Sequence, residues 1–282
     1  MRLGGPESGN IEDRRRSGGR RGVAIGGGLG GVLLVVLALF LGIDPTVLLN
    51  PNAGPPQRTS QERPLTPQDD AARRFVAQVL GETEQVWSAE FARHGRRYEE
   101  PTLVLFSGAT QSGCGYAQSQ VGPFYCPADR RIYIDLDFMA ELQRRLRAGG
   151  DFAAAYIVAH EVGHHVQNLL GILGNVDRER RGLGEAASNN QQVRVELQAD
   201  CLAGLWARRA HEARQILEQG DIEEGLNAAA AVGDDRLQRA GQGHVAPETF
   251  THGSSEQRVR WFRRGLDTGR LDACNTFAAP SL

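Results

Sequence analysis

The sequence lacks any excess of charge of one sign. Its 32 basic and 34 acidic side chains leave a formal charge of -2 over 282 residues, which removes the global electrostatic case for a nucleic-acid partner. Lysine is missing altogether, and every basic side chain is arginine; this compositional trait carries no conclusion about a site. The four cysteines contain no Cys-x-x-Cys pair, which excludes the usual spacing of a four-cysteine zinc site. No internal repeat is present. What remains, 40% hydrophobic and 23% charged residues, excludes a disordered chain and suits one globular domain with additional segments.

Long apolar runs are also scarce, with one exception. Val23 to Ile43 carries no charge and has about the roughly 20 residues that a helix needs to cross a bilayer. Arg14, Arg15, Arg16, Arg20 and Arg21 precede it, an excess that predicts a cytoplasmic N-terminus and export of everything after Asp44. The run is long for a cleaved signal peptide and no small-x-small site follows it, so an uncleaved anchor is the preferred reading. Glycines 26, 27, 28, 30 and 31 within it favour close packing against a second helix, hence a homo-oligomer through the anchor. The expected organisation is a basic N-terminal segment over 1–22, a transmembrane helix over 23–43, a proline-rich linker over 44–65 and a catalytic domain over 66–282. Cys114, Cys126, Cys201 and Cys274 all fall in the part predicted to be exported, where two disulfides can form. Cys114 and Cys126 flank a glycine-containing loop and pair most easily, leaving Cys201 for Cys274, although three connectivities exist.

Thr66-Pro67-Gln68-Asp69 supplies an N-cap, a proline at the first helical position and an acidic third position. It opens a helix with an apolar stripe that includes Phe75, Val79, Trp87 and Phe91. Thr102 to Phe106 reads as a buried strand and Ile132 to Leu136 as a half-buried or edge strand. From Phe138 onward the pattern is helical with glycine punctuation, so the fold class is α+β and mostly helical.

Chemistry concentrates in the apolar helix that begins near Asp151. His160 and His164 lie four apart, on one face, and can direct two imidazole nitrogens at one ion, while Glu161 sits about 100° around beside them. Catalytic zinc takes three protein ligands and keeps one position open. Glu196 is the best third ligand, because Glu196 and Asp200 repeat the four-residue spacing and one can ligate while the other orients a histidine. Gly163 costs the helix about 1 kcal/mol relative to alanine, which is reasonable where another backbone approaches. His165 points to another face and reads as a surface or supporting histidine; Arg258 reads as a solvated arginine. Ser254 and Gln257 form a capping box for a late amphipathic helix.

The runs Ala159–Gln167 and Val195–Gly204, together with Gly122–Asp129 and Thr251–Ser255, resemble the bacterial putative neutral zinc metallopeptidase family and the wider gluzincin group. The resemblance implies a zincin-like domain with a small sheet, one zinc ion held by His160, His164 and Glu196, Glu161 as general base, and Asp200 behind a histidine. It further implies an edge strand above the active-site helix, for which Ile132 to Leu136 is the candidate, and His252 as a donor to the oxyanion. The expected activity is hydrolysis of peptide bonds in exported or envelope proteins by a single-pass protein of the bacterial inner membrane, with the catalytic domain outside. Two other readings compete: a noncatalytic zinc-stabilised envelope module, and a metallohydrolase acting on cell-wall amides.

Overall fold

The structure, a computed structural model, describes residues 1–15, 65–118, 122–136, 139 and 150–282. The helix predicted from Thr66 forms as α1 (Pro67–Arg93), with both arms of the capping box closed between Thr66 and Asp69. Its apolar stripe buries Val76, Val79, Leu80, Trp87 and Phe91. Strand β2 (Thr102–Phe106) follows, then a hairpin of β3 (Ala109–Ser112) and β4 (Gly115–Gln118), then β5 (Phe124–Cys126) and β6 (Arg131–Asp135). The described residues from 150 onward are mostly helical: α2 (Asp151–Leu169), α3 (Ile172–Arg180), α4 (Glu185–Arg214), α5 (Asp221–Ala231), α6 (Asp234–Gln242) and α7 (Ser255–Thr268). The α+β, mostly helical class holds. Among the described residues no helix is long and apolar enough to cross a membrane; the expected anchor at 23–43 and nearly all of the linker lie outside those residues.

Two features differ from expectation. The main sheet has the order β1-β2-β6-β5, with β1 being Ile11–Asp13, parallel to β2. Residues 1–15 are therefore part of the folded body rather than a separate basic segment, because β2 offers β1 a free edge. Strand β6 is parallel to β2 on one side and antiparallel to β5 on the other, so Ile132 to Leu136 does not form the edge. Its near-complete burial follows from lying inside the sheet. The edge is β5.

The helical layer is held by backbone contact. A Cβ on Gly265 of α7 would lie 1.9 Å from the Cys201 carbonyl oxygen of α4, and one on Gly204 would lie 2.0 Å from that of Phe262. Two glycines thus let α4 and α7 touch main chain to main chain. Phe152, Tyr156, Trp206 and Phe262 fill the space around that seam. Both disulfides join the pairs that the loop argument favoured, Cys114 with Cys126 and Cys201 with Cys274. The second ties α4 to the C-terminal turn.

Gly265→Ala forces α4 and α7 apart at a packed seam, and overpacking of this kind costs about 1–3 kcal/mol. Chemical denaturation of the purified protein should show a lower midpoint by that amount, whereas an unchanged midpoint would mean the seam is looser than described.

Candidate metal centre

The site is built where α2 crosses α4. Helix α2 is apolar over Phe152–Ala159 and buries all of that stretch but Ile157, carrying His160 and Glu161 into the interior with it. Gly163 sits at the crossing: a Cβ there would meet the Ala199 carbonyl oxygen at 3.1 Å and its Cα at 3.2 Å. The missing side chain brings the two helices close enough for their side chains to share one point.

His160, His164 and Glu196 converge there, with one ligand atom from each lying within 4.8 Å of the others. The Glu196 Oε2 is 3.3 Å from His160 Nε2 and 3.6 Å from His164 Nε2. Zinc bonds of about 2.0–2.1 Å at tetrahedral angles place neighbouring ligand atoms about 3.3 Å apart. The observed spacing therefore suits three corners of a tetrahedron, and 3.6 Å is long for a hydrogen bond. The charge balance agrees. Burial works against a charged His160, yet Asp200 and Glu196 outweigh it and raise its pKa to about 9. Burial also opposes a charged Glu196, but the neighbouring histidines hold its carboxyl well below the usual range. The carboxylates thus favour positive charge at the imidazoles, which is compatible with a cation site.

Each ligand is oriented from behind. His160 Nδ1–H donates to Asp200 Oδ1 at 2.9 Å, which fixes the tautomer and leaves Nε2 for the ion. His164 Nδ1–H donates to Gln167 Oε1 at 2.9 Å, with the same consequence. Gln167 in turn donates to the Val195 carbonyl and to Gln198, whose amide donates to the Cys274 carbonyl. Gln192 donates to Glu196 Oε1 at 3.0 Å, so Oε2 alone faces the histidines.

Asp200 is completely buried, and its charge is compensated by Arg258, which the sequence reading placed in solvent. The Arg258 Nε and Nη2 groups donate to the two Asp200 oxygens at 2.9 Å each, and Tyr156 adds its hydroxyl. Only 3% of Arg258 is exposed, so the surface assignment is corrected: α7 packs on α4 and turns this arginine inward, unlike Arg260, Arg263 and Arg264. Burial opposes the Asp200 charge, but Arg258 and His160 hold its pKa below the ordinary value.

Glu161 is 7% exposed, lines the same cavity, and is pushed up in pKa by burial. His252 comes from the loop before α7, whose Ser254–Gln257 capping box is closed as predicted. The backbone N–H groups of Thr251, His252 and Gly253 donate to Asp234 Oδ2, and His252 Nδ1–H donates to Asp234 Oδ1 at 3.1 Å. Its Nε2 is then the nitrogen available to the cavity. Burial disfavours the charged ring, but Asp234 and Glu196 raise its pKa above the ordinary value. The cavity holds about 400 Å³ and faces the polar set with Phe124, Ile157, Leu173, Val176 and Leu237. His165 is buried rather than exposed: it accepts from the Tyr125 hydroxyl at 3.0 Å and donates to the Glu99 carbonyl at 2.6 Å, bracing β5 against α2.

Gln167 and Gln192 could have been found from sequence, since they lie three residues after His164 and four before Glu196 on the respective helices. Asp234 and Arg258 carry no such local signal. Removing the support behind a metal-bound histidine costs about 10–100-fold in affinity. Asp200→Asn should weaken zinc binding by that factor in chelator competition, and Arg258→Met, which strands the Asp200 charge, should cost about 3–5 kcal/mol of stability in denaturant unfolding. Unchanged affinity and stability in both would sink the orienting role.

A family model described as "Putative neutral zinc metallopeptidase" matches residues 1–277. The chain is 46% identical over 281 residues to "Uncharacterized protein YpfJ" of Escherichia coli (strain K12), covering 96% of each. It is 49% identical over 195 residues to "Uncharacterized protein Rv2575" of Mycobacterium tuberculosis, covering 66% of this chain and 65% of that protein. No solved structure matches it. A shared domain of this extent, together with a three-donor centre on crossed helices, places the chain in the putative neutral zinc metallopeptidase family.

Proposed function

We propose that this chain is a zinc-dependent endopeptidase that hydrolyses peptide bonds of exported or envelope proteins. The observation that carries the proposal is a set of three protein donors, not four, opening on a cavity that also contains Glu161. A structural zinc site is closed by a fourth protein ligand, and among the described residues the histidine group has three members. That favours the enzyme over a noncatalytic zinc module.

Zinc, when bound by His160, His164 and Glu196, supplies Lewis acidity that lowers the pKa of a water to about 7 and polarises a carbonyl. Glu161, lifted in pKa by its buried position, is placed to accept a proton from the attacking water and to return it to the leaving amine. His252, held at Nδ1 by Asp234, uses Nε2 to donate to the oxyanion. Strand β5 lies at the sheet edge, and Phe124 and Tyr125 line the cavity, so an extended substrate pairs with β5 while its apolar side chains enter the pocket. Such a strand-like pose favours a peptide over a cell-wall amide. The paired cysteines support an oxidising, extracytoplasmic setting, and the apolar run Val23 to Ile43 supports attachment to a lipid bilayer.

Glu161→Gln should keep zinc at one ion per chain while lowering turnover of an unfolded protein by about 10²–10⁴-fold. Equal turnover by variant and wild type would remove the mechanism. His252→Ala should lower kcat by about 10²–10³-fold with little change in KM, as measured by steady-state kinetics on a fluorogenic peptide; a change confined to KM would make the residue a binding group instead.

A further inference from the structure

Residues 1–15 run across three separate parts of the body. The Arg2 amide donates to the Ile216 carbonyl after α4, and its guanidinium pairs with Glu218 at 2.7 Å. Ser8 then crosses α1, donating from its amide to the Ala77 carbonyl and from its hydroxyl to Glu84. Beyond it, Ile11–Asp13 extends the sheet, with Leu103 N–H donating to the Asn10 carbonyl and Arg14 N–H to that of Leu105. Arg131 closes the edge against Glu12 at 2.7 Å.

The body is shaped to receive this segment. Gly81 sits in the middle of α1, where glycine costs about 1 kcal/mol relative to alanine, and a Cβ there would lie 2.6 Å from the Pro6 carbonyl oxygen. On the other side of the contact, a Cβ on Gly5 would lie 2.4 Å from Glu82 Oε1. Leu3 and Ile11 pack on the main core. Two of the arginines that suggested a cytoplasmic N-terminus are engaged in the fold: Arg14 pairs with Glu12 and reaches the Gln111 carbonyl, and Arg15 pairs with Asp13 and donates to the Asp69 carbonyl.

The chain also leaves and re-enters at one place. Arg15 and Leu65 line the same cleft beside the start of α1. β1, α1 and β2 therefore make a parallel strand–helix–strand unit, and the apolar run Val23 to Ile43 lies within its crossover. A helix that crosses a bilayer once leaves the chain on opposite sides of it, whereas β1 pairs with β2 within one folded body. The two arrangements exclude each other.

We infer that residues 1–15 are an integral strap of the folded body, on the same side of the membrane as the candidate metal centre, so that Arg15 and Leu65, the two ends of the intervening sequence, lie on one side, which a single-pass tether does not allow. With the body's cysteines paired, that common side is the oxidising one. Basic residues before an apolar run then do not report the orientation of this chain, because part of their charge is neutralised within the fold.

The test uses the full chain in intact cells and needs no peptidase activity. Asn10 Nδ2 donates to Glu100 Oε2 at 2.8 Å, so a chain carrying Asn10→Cys and Glu100→Cys should be joined within itself by a short bismaleimide. Gly9→Cys, at an exposed position with open space for a Cβ, and Glu100→Cys, each introduced alone, report sidedness through a membrane-impermeant maleimide. The expected result is intrachain cross-linking together with the same accessibility at both positions before permeabilisation. Absence of the cross-link, with Glu100→Cys labelled in intact cells and Gly9→Cys labelled only after permeabilisation, would overturn the strap and restore the single crossing.

Discussion

The approach of α2 to α4 at Gly163 and Ala199 is the constraint on which the rest of the molecule depends. Neither helix holds an ion alone: α2 contributes two imidazoles and α4 a single carboxylate oxygen. At this close approach, tight for any Cβ at position 163, the three donor atoms lie within 4.8 Å of one another, with Glu196 Oε2 3.3 and 3.6 Å from the two imidazoles. The same closeness allows Gln167 of α2 to donate to the Val195 carbonyl of α4. The crossing is thus secured by main-chain contact, by a polar link and by the apolar surfaces on either side.

Burying so many charges in one place has a cost, and the arrangement of counter-charges shows how it is met. Asp200 is fully enclosed, which would be expensive for a lone carboxylate. Arg258 meets it with two parallel N–H donors, a geometry particular to the guanidinium group. That arginine is delivered by α7, whose own position depends on the Gly204 and Gly265 contacts with α4. The packing of a third helix, remote in sequence from the motif, is therefore coupled to the orientation of His160. The Cys201–Cys274 bond acts in the same region: the Cys274 carbonyl terminates the amide chain running through Gln198 and Gln167 to His164.

On the opposite side of the cavity, the sheet presents β5 rather than a central strand to the site. His165, Tyr125 and Asn168 fix that edge to α2 through hydrogen bonds. Among the described residues β1 and β5 are the two terminal strands of the sheet, and β5 is the one that lines the cavity of the candidate site. An exposed strand edge is a liability unless something binds it, and the proposed pairing of an extended substrate with β5 would use this one.

Local patterns were enough to read much of this protein from its sequence. Four-residue spacing placed His160 with His164 and Glu196 with Asp200, because helical periodicity is a property of neighbours along the chain. Capping at Thr66 and Ser254 was legible for the same reason, and the shorter cysteine loop indicated which cysteines pair. What sequence could not supply was set by contacts between distant segments. Arg258 reads like any of the arginines around it until α7 packs on α4. Asp234 has no motif until it meets the loop carrying His252. Thr102 to Phe106 is interior as its composition suggested, but Ile132 to Leu136 is interior too instead of at the edge, because rank within a sheet is decided by partners, not by the strand's own alternation. Residues 1–15 read as a charged leader because their hydrogen-bonding partners lie far along the chain, and only the folded body brings them together.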